Sequence, residues 1–243
     1  MSMTAQAKEP RTVRPFSAAG LYYPRDAQGL RAALRTLLST KTESVPRVPK
    51  ALVVPHAGYA YSGSVAASAY RLLDTPAASA IRHVVLLGPS HRVPMRGMAL
   101  PSWNYFATPF GEVPVDDEAR TRLRELGLAG IADAPHALEH SLEVQLPFLQ
   151  SVLGYFDVLP LAVGSAPAEQ VCRALGAVWG GPETLVVVNR DDILVPPRNG
   201  KKLNSGISGS KLVELDGAHA GVIEYPNEHN EAFLQFLGAA VPA

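Results

Sequence analysis

The sequence predicts an α/β domain with helices on both faces of a mostly parallel sheet, a three-layer αβα arrangement. Three observations carry this. Continuous apolar runs recur at "ALVV", "HVVLLG", "DVLPLAV" and "TLVVV", as in strands buried on both faces rather than one. Segments with apolar residues at helical spacing separate them, so strand and helix alternate along the chain. The first two runs end in turns rich in Gly and Pro, as strands do before a crossover.

The elements follow in order. Residues 1–12 are polar and unpatterned and are expected to form a disordered tail. "DAQGLRAALRTLL" reads as a helix from Asp26 to Leu38, with Asp26 as its cap. "KALVVPHAGYAYSG" is a strand that breaks at Pro55 and enters a glycine-rich turn. "GSVAASAYRLL" is a helix whose small residues allow close packing on a sheet. "IRHVVLLGPSHR" repeats the scheme of strand and turn. "DDEARTRLREL" and "LEHSLEVQLPFLQSVL" read as amphipathic helices, "FDVLPLAVG" as a strand and "APAEQVCRALGAVWG" as a helix. "TLVVVNRDD" is a further strand. After it come "RNGKKLNSGI" (helix or turn), "SKLVELDGAH" (strand) and "NEHNEAFLQFLG" (helix).

The 243 residues suffice for one large α/β domain or two small ones. Lys plus Arg and Asp plus Glu both total 22, so the net charge is zero. Nucleic acid or an anionic membrane asks for a basic excess, and neither is expected as a partner. Cys172 is the single cysteine, which excludes an intramolecular disulfide and fits a reducing, cytoplasmic setting. The opening "MSMTAQAKEPRTVRP" lacks the apolar core of a secretory signal. No run approaches the ~20 apolar residues of a membrane span.

In such a fold, sites gather at the carboxyl ends of the strands, where His56, His91, Asp191 and Asp192 all fall. "VVPHAGY" and "LLGPSH" each place an imidazole just past an apolar run. Two neutral imidazoles from neighbouring strands can share one metal ion, with a third ligand still required. Equally, each ring can cap a turn. "HALEH", His136 to His140, matches the H-x-x-E-H pattern of some zinc peptidases. Pro135, however, puts His136 at or outside the first helical turn. Glu139 and Glu143 are spaced i and i+4, on a helix whose polar edge would reach the site and whose other face is core. Cys172 sits at a buried-face spacing and reads as a small core residue.

Four motifs in fixed order, "VVPHAGYAYSG", "LLGPSH", "YFATPFGEVPVD" and "EHSLEVQLPFLQ", make residues 13–188 resemble the Memo family, which includes AmmeMemoRadiSam system protein B. The opening "VRPFSAAGLYYP" resembles that family's start as well. The resemblance implies an α/β fold related to class III non-haem iron dioxygenases. It also implies metal binding and redox chemistry, with His56 and His91 as ligands of one iron or copper ion. His140 would line the pocket as acid or base, and oxygen or a small molecule would be the reactant. The family's next strand would bring Ser-Ser-Asp and then Ser-His. Here Asp191 alone keeps its place, Leu194 stands where the histidine would, and no cysteine follows Cys172.

Residues 184–237 resemble instead the end of an α/β-hydrolase. Asp192 would be the triad acid, with Asn189 where glycine is usual, and His219 in "LDGAHAGVIEYP" the triad histidine. No G-x-S-x-G elbow supplies a nucleophile. The expectation is a Memo-like front (13–188) joined at "LVVVNRDD" to a hydrolase-like segment (189–243), packed as one domain. The function that follows is a metal-binding redox protein with an incomplete site and weak or no turnover. An esterase using Asp192 and His219, or a folded chimera without catalysis, are the alternatives.

Overall fold

Two sheets organise the computed structural model, which describes residues 11–39 and 47–189. The strands are β1 (Val13–Arg14), β2 (Ala51–Val54), β3 (His83–Pro89), β4 (Met98–Leu100), β5 (Tyr105–Thr108), β6 (Gly111–Pro114), β7 (Gly130–Ile131), β8 (Asp157–Val163) and β9 (Thr184–Asn189). The helices are α1 (Ala27–Leu38), α2 (Tyr59–Tyr70), α3 (Asp117–Glu125), α4 (Ala134–Ala137), α5 (Leu146–Val152) and α6 (Ala168–Val178).

The main sheet has the order β2-β9-β3-β8-β4-β7. Its pairs are parallel except β4 on β8. Alternate side chains of β3 serve two cores, as the two-residue period of a strand requires. Val84 and Leu86 pack with Leu30, Ala67 and Phe148 from α1, α2 and α5. Val85 and Leu87 pack with Leu123 and Leu175 from α3 and α6. Each side chain so buried contributes about 1.5–3 kcal/mol. In β3, β8 and β9 the continuous apolar runs mean what the sequence implied, both faces covered, whereas β2 at the sheet's edge leaves Val53 exposed.

Asp26 caps α1, its carboxylate accepting the Gly29 N–H at 2.7 Å. The helix buries Leu30 and Leu34. α2 begins at Tyr59, so the expected glycine-rich turn shrinks to Ala57–Gly58. Gly63 lies inside the helix because α1 crosses there. A Cβ on Gly63 would meet Leu37 at 3.0 Å.

Three further expectations change. β9 stands between β2 and β3, so the strands that end at His56 and His91 are not neighbours. The single helix expected over 138–153 gives way to an irregular stretch after α4, a turn of tight helix at Glu143–Gln145 and α5. The cause is local: the Glu139 carboxylate takes the N–H groups of His140 and Ser141, both at 2.9 Å, and so diverts them from a helical ladder. Finally, "YFATPFGEVP" forms the β5–β6 hairpin of a small sheet with β1 at its edge. Thr12, expected in the tail, bonds the Asn104 side chain at 2.7 Å beside β5.

Asp191, Asp192, His219 and the strand and helix expected after β9 lie outside the described residues. β9 itself is the expected buried parallel strand, paired with β2 and β3.

Candidate metal centre

His56 follows β2 by two residues, His91 follows β3 by two, and His140 comes from the irregular stretch after α4. The main sheet's carboxyl end brings them together. One ring nitrogen from each lies within 4.8 Å of those of the others. Ring centroids are 5.2 Å apart for His56 and His91, 5.6 Å for His56 and His140, and 4.9 Å for His91 and His140. His56 is 3% exposed, while the His140 and His91 side chains are 15% and 25% exposed. The cluster thus has a closed floor and one accessible side.

Glu139 ties the cluster together, with its side chain buried beneath it. The His91 Nδ1–H donates to Oε1 at 2.9 Å and the His91 backbone N–H to Oε2 at 2.7 Å. The His140 Nδ1 lies 3.1 Å from Oε1, though not aligned as a hydrogen bond. Burial alone would raise this carboxyl. The close His140 ring, the bond from the His91 ring and the N–H groups of Ser141 and His91 outweigh burial and hold it well below the usual range. A carboxylate that takes the Nδ1–H of His91 fixes the tautomer, which leaves Nε2 with its lone pair. This is how a histidine ligand is usually oriented.

A second layer holds the segment that carries Glu139 and His140. Arg14, fully buried on β1, pairs with buried Glu143 at 2.6 Å. Its Nε and Nη2 donate to the carbonyls of His136 and Glu139, both at 2.7 Å. Glu143 also accepts from the Ser17 and Ala18 N–H groups at 2.8 Å and from the Tyr23 hydroxyl at 2.7 Å. Both ions of this buried pair are therefore fully hydrogen-bonded, the condition under which such a pair is tolerated. On the same segment Tyr22 stacks on His140, centroids 4.2 Å apart.

β9 contributes from below. Asn189 at its end donates to the Ser141 carbonyl at 3.0 Å and accepts from Gln145 at 2.7 Å. Gln145 also bonds the Pro55 carbonyl at 2.9 Å, next to His56, and the Tyr70 hydroxyl at 2.8 Å. Gly88 is needed where β3 passes this network. A Cβ there would meet Asn189 Nδ2 and Ser141 Oγ at 2.7 Å.

The two histidines of "HALEH" part company. His140 joins the cluster, but His136 is buried elsewhere, its Nε2 on the Ala99 carbonyl at 3.1 Å. Phe106 lies edge-on to its ring. Burial, chiefly, lowers His136 to about 4. The H-x-x-E-H pattern therefore does not form a peptidase site. Cys172 is half-buried on α6, its thiol raised by burial and by Glu169, which makes it a poor nucleophile. Sequence reasoning missed the roles of Glu139, Arg14 and Asn189. The one local signal was the pair "EH" next to the cluster's third ring.

Compared with known families, residues 14–216 match the Memo-like protein family. The chain belongs to the Memo family. The MEMO1 family protein of Aquifex aeolicus is 36% identical over 183 residues, covering 74% of this chain and 66% of its own length. Human Protein MEMO1 is 32% identical over 186 residues, 73% of this chain and 61% of its own. The MEMO1 family protein of Methanopyrus kandleri is 31% identical over 235 residues, covering 89% of this chain and 81% of its own. The chain spans about half to two thirds of the length of the bacterial, nematode and mammalian relatives. The Memo match runs past residue 188, where the Memo-like region was expected to end, and the comparisons lend the hydrolase-like resemblance and a chimera no support. Among the described residues, no helix is long and apolar enough to cross a membrane.

Proposed function

We propose that this Memo-family chain is a metal-binding redox protein that holds one iron or copper ion on His56, His91 and His140. The observation that carries the reading is the convergence of three imidazoles on one point, with Glu139 beneath them to orient His91. Neutral imidazoles suit iron, copper and zinc alike. His140, expected as an acid or base, is assigned here as the third ligand because its nitrogen shares the same 4.8 Å neighbourhood.

A bound iron or copper ion would supply one-electron chemistry and activate oxygen. The chain's own residues bind and orient. Glu139 keeps a proton on His91 Nδ1, Tyr22 shields one face of His140, and buried His56 closes the floor to water. The accessible side at His91 is where oxygen or a small reactant would approach. With Leu194 in the place of the family's downstream histidine and no cysteine after Cys172, turnover is expected to be weak or absent.

Elemental analysis of purified protein tests this. About one equivalent of iron or copper is expected, lost from a His56→Ala, His91→Ala variant that still melts cooperatively. Neither metal in either protein, even after reconstitution with Fe²⁺ or Cu²⁺, would refute the reading.

A further inference from the structure

At the opposite end of the sheet, the amino end, a second group of ligand types converges. His83 is the first residue of β3 and Asp157 the first of β8, and the two are directly paired in register. Asp116 precedes α3, whose entry is pinned to β8 by the Asp116 N–H bond to the Val158 carbonyl at 2.9 Å. One ligand atom from each of the three lies within 4.8 Å of the other two. None of them belongs to the histidine cluster at the carboxyl end.

We propose that His83, Asp116 and Asp157 form a second cation site, for a divalent ion of the zinc class. One imidazole nitrogen and two carboxylate oxygens make a mixed donor set. Ca²⁺ and Mg²⁺ favour oxygen alone, whereas Zn²⁺ takes nitrogen and oxygen together and leaves a position open for water. The frame is already built. Asp116 Oδ1 is committed to the Ala119 N–H at 2.9 Å as the cap of α3, and Oδ2 faces His83 Nδ1 at 3.5 Å. Asp157 Oδ1 meets the same Nδ1 at 2.8 Å. The site is open to solvent yet not fully exposed: side-chain exposure is 14% for Asp116, 22% for Asp157 and 42% for His83.

The electrostatics ask for a cation. Two carboxylates share one imidazole, and burial together with the charge of Asp116 raises Asp157 despite its bond to His83. The adjacent Arg82 donates through Nη1 to the carbonyls of Ser79 and Ile81 rather than to either carboxylate. A divalent ion would neutralise both carboxylates and take the place of the direct His83–Asp157 contact.

The test is calorimetric titration of the full-length, tag-free apo protein with Zn²⁺. Wild type is expected to bind two equivalents, His56→Ala, His91→Ala one, His83→Gln, Asp157→Asn one, and the four-fold variant none. The inference is overturned if His83→Gln, Asp157→Asn binds as much Zn²⁺ as wild type. Should that variant fail to fold, His83→Gln alone answers the question, since its ring is the most exposed of the three. A loss of roughly tenfold or more in affinity for one equivalent supports the site, and unchanged affinity refutes it. The two metal readings fail separately. A wild type with one equivalent that survives His56→Ala, His91→Ala and vanishes with His83→Gln, Asp157→Asn would sink the first and keep the second.

Discussion

Glu139 accepts hydrogen bonds from two neighbouring backbone N–H groups, from the His91 N–H and from the His91 ring. That makes it at once the reason the helix breaks and the group that aims a histidine. Glu139→Gln keeps the shape and removes the charge. It is expected to weaken metal binding at the His56, His91, His140 cluster by roughly 10–100-fold, the usual consequence of losing a carboxylate behind a ligating imidazole. Chelator competition measures this, and an affinity equal to wild type would show that Glu139 does no orienting. In the sequence, Glu139 was visible only as the E of "HALEH" and as a spacing to Glu143. Both patterns assume a helix, and the carboxylate itself prevents one.

The segment from β1 to Tyr23 acts as a strap across the stretch between α4 and α5. Arg14 is its anchor, and a buried ion pair broken from one side leaves an uncompensated charge. Arg14→Met is expected to cost about 3–5 kcal/mol, read from urea unfolding. A loss below about 1 kcal/mol would mean that Glu143 finds other partners. At this scale the strands β2, β3, β8 and β9 and the helices α1, α3 and α6 were legible, since apolar runs and helical spacing are local signals. The strap was not. "VRPFSAAGLYYP" has no helical or strand period, and Arg14 reads as an ordinary charged residue until its partner, 129 positions away, comes into contact.

His136 gives the molecule an expected pH dependence. Burial lowers it from 6.5 to about 4, with the Ala99 carbonyl, Asp133 and Glu139 opposing and Arg14 reinforcing the shift. The fold accepts the neutral ring, so the unfolded chain takes up the proton more readily. This group's stabilisation is complete above about pH 6.5 and is lost as pH falls toward about 4. The loss amounts to about 3 kcal/mol. Unfolding free energies at pH 7 and pH 4.5 should therefore differ more in wild type than in His136→Gln. Equal slopes in the two proteins would show that the ring titrates normally. Both proposed cation clusters also belong to this scale, because each draws its residues from three separate segments at one end of the sheet.

The α/β class, the burial of β3, β8 and β9 on both faces and the placement of His56 and His91 past strand ends all follow from local pattern. Apolar period and turn residues act over a few neighbours and can be read there. The insertion of β9 between β2 and β3, the third ring at His140, the rejection of His136 and the pairing of His83 with Asp116 and Asp157 could not be read that way. Each depends on which distant segments share a sheet end. That is settled only when the chain closes its two cores and every buried donor must find an acceptor.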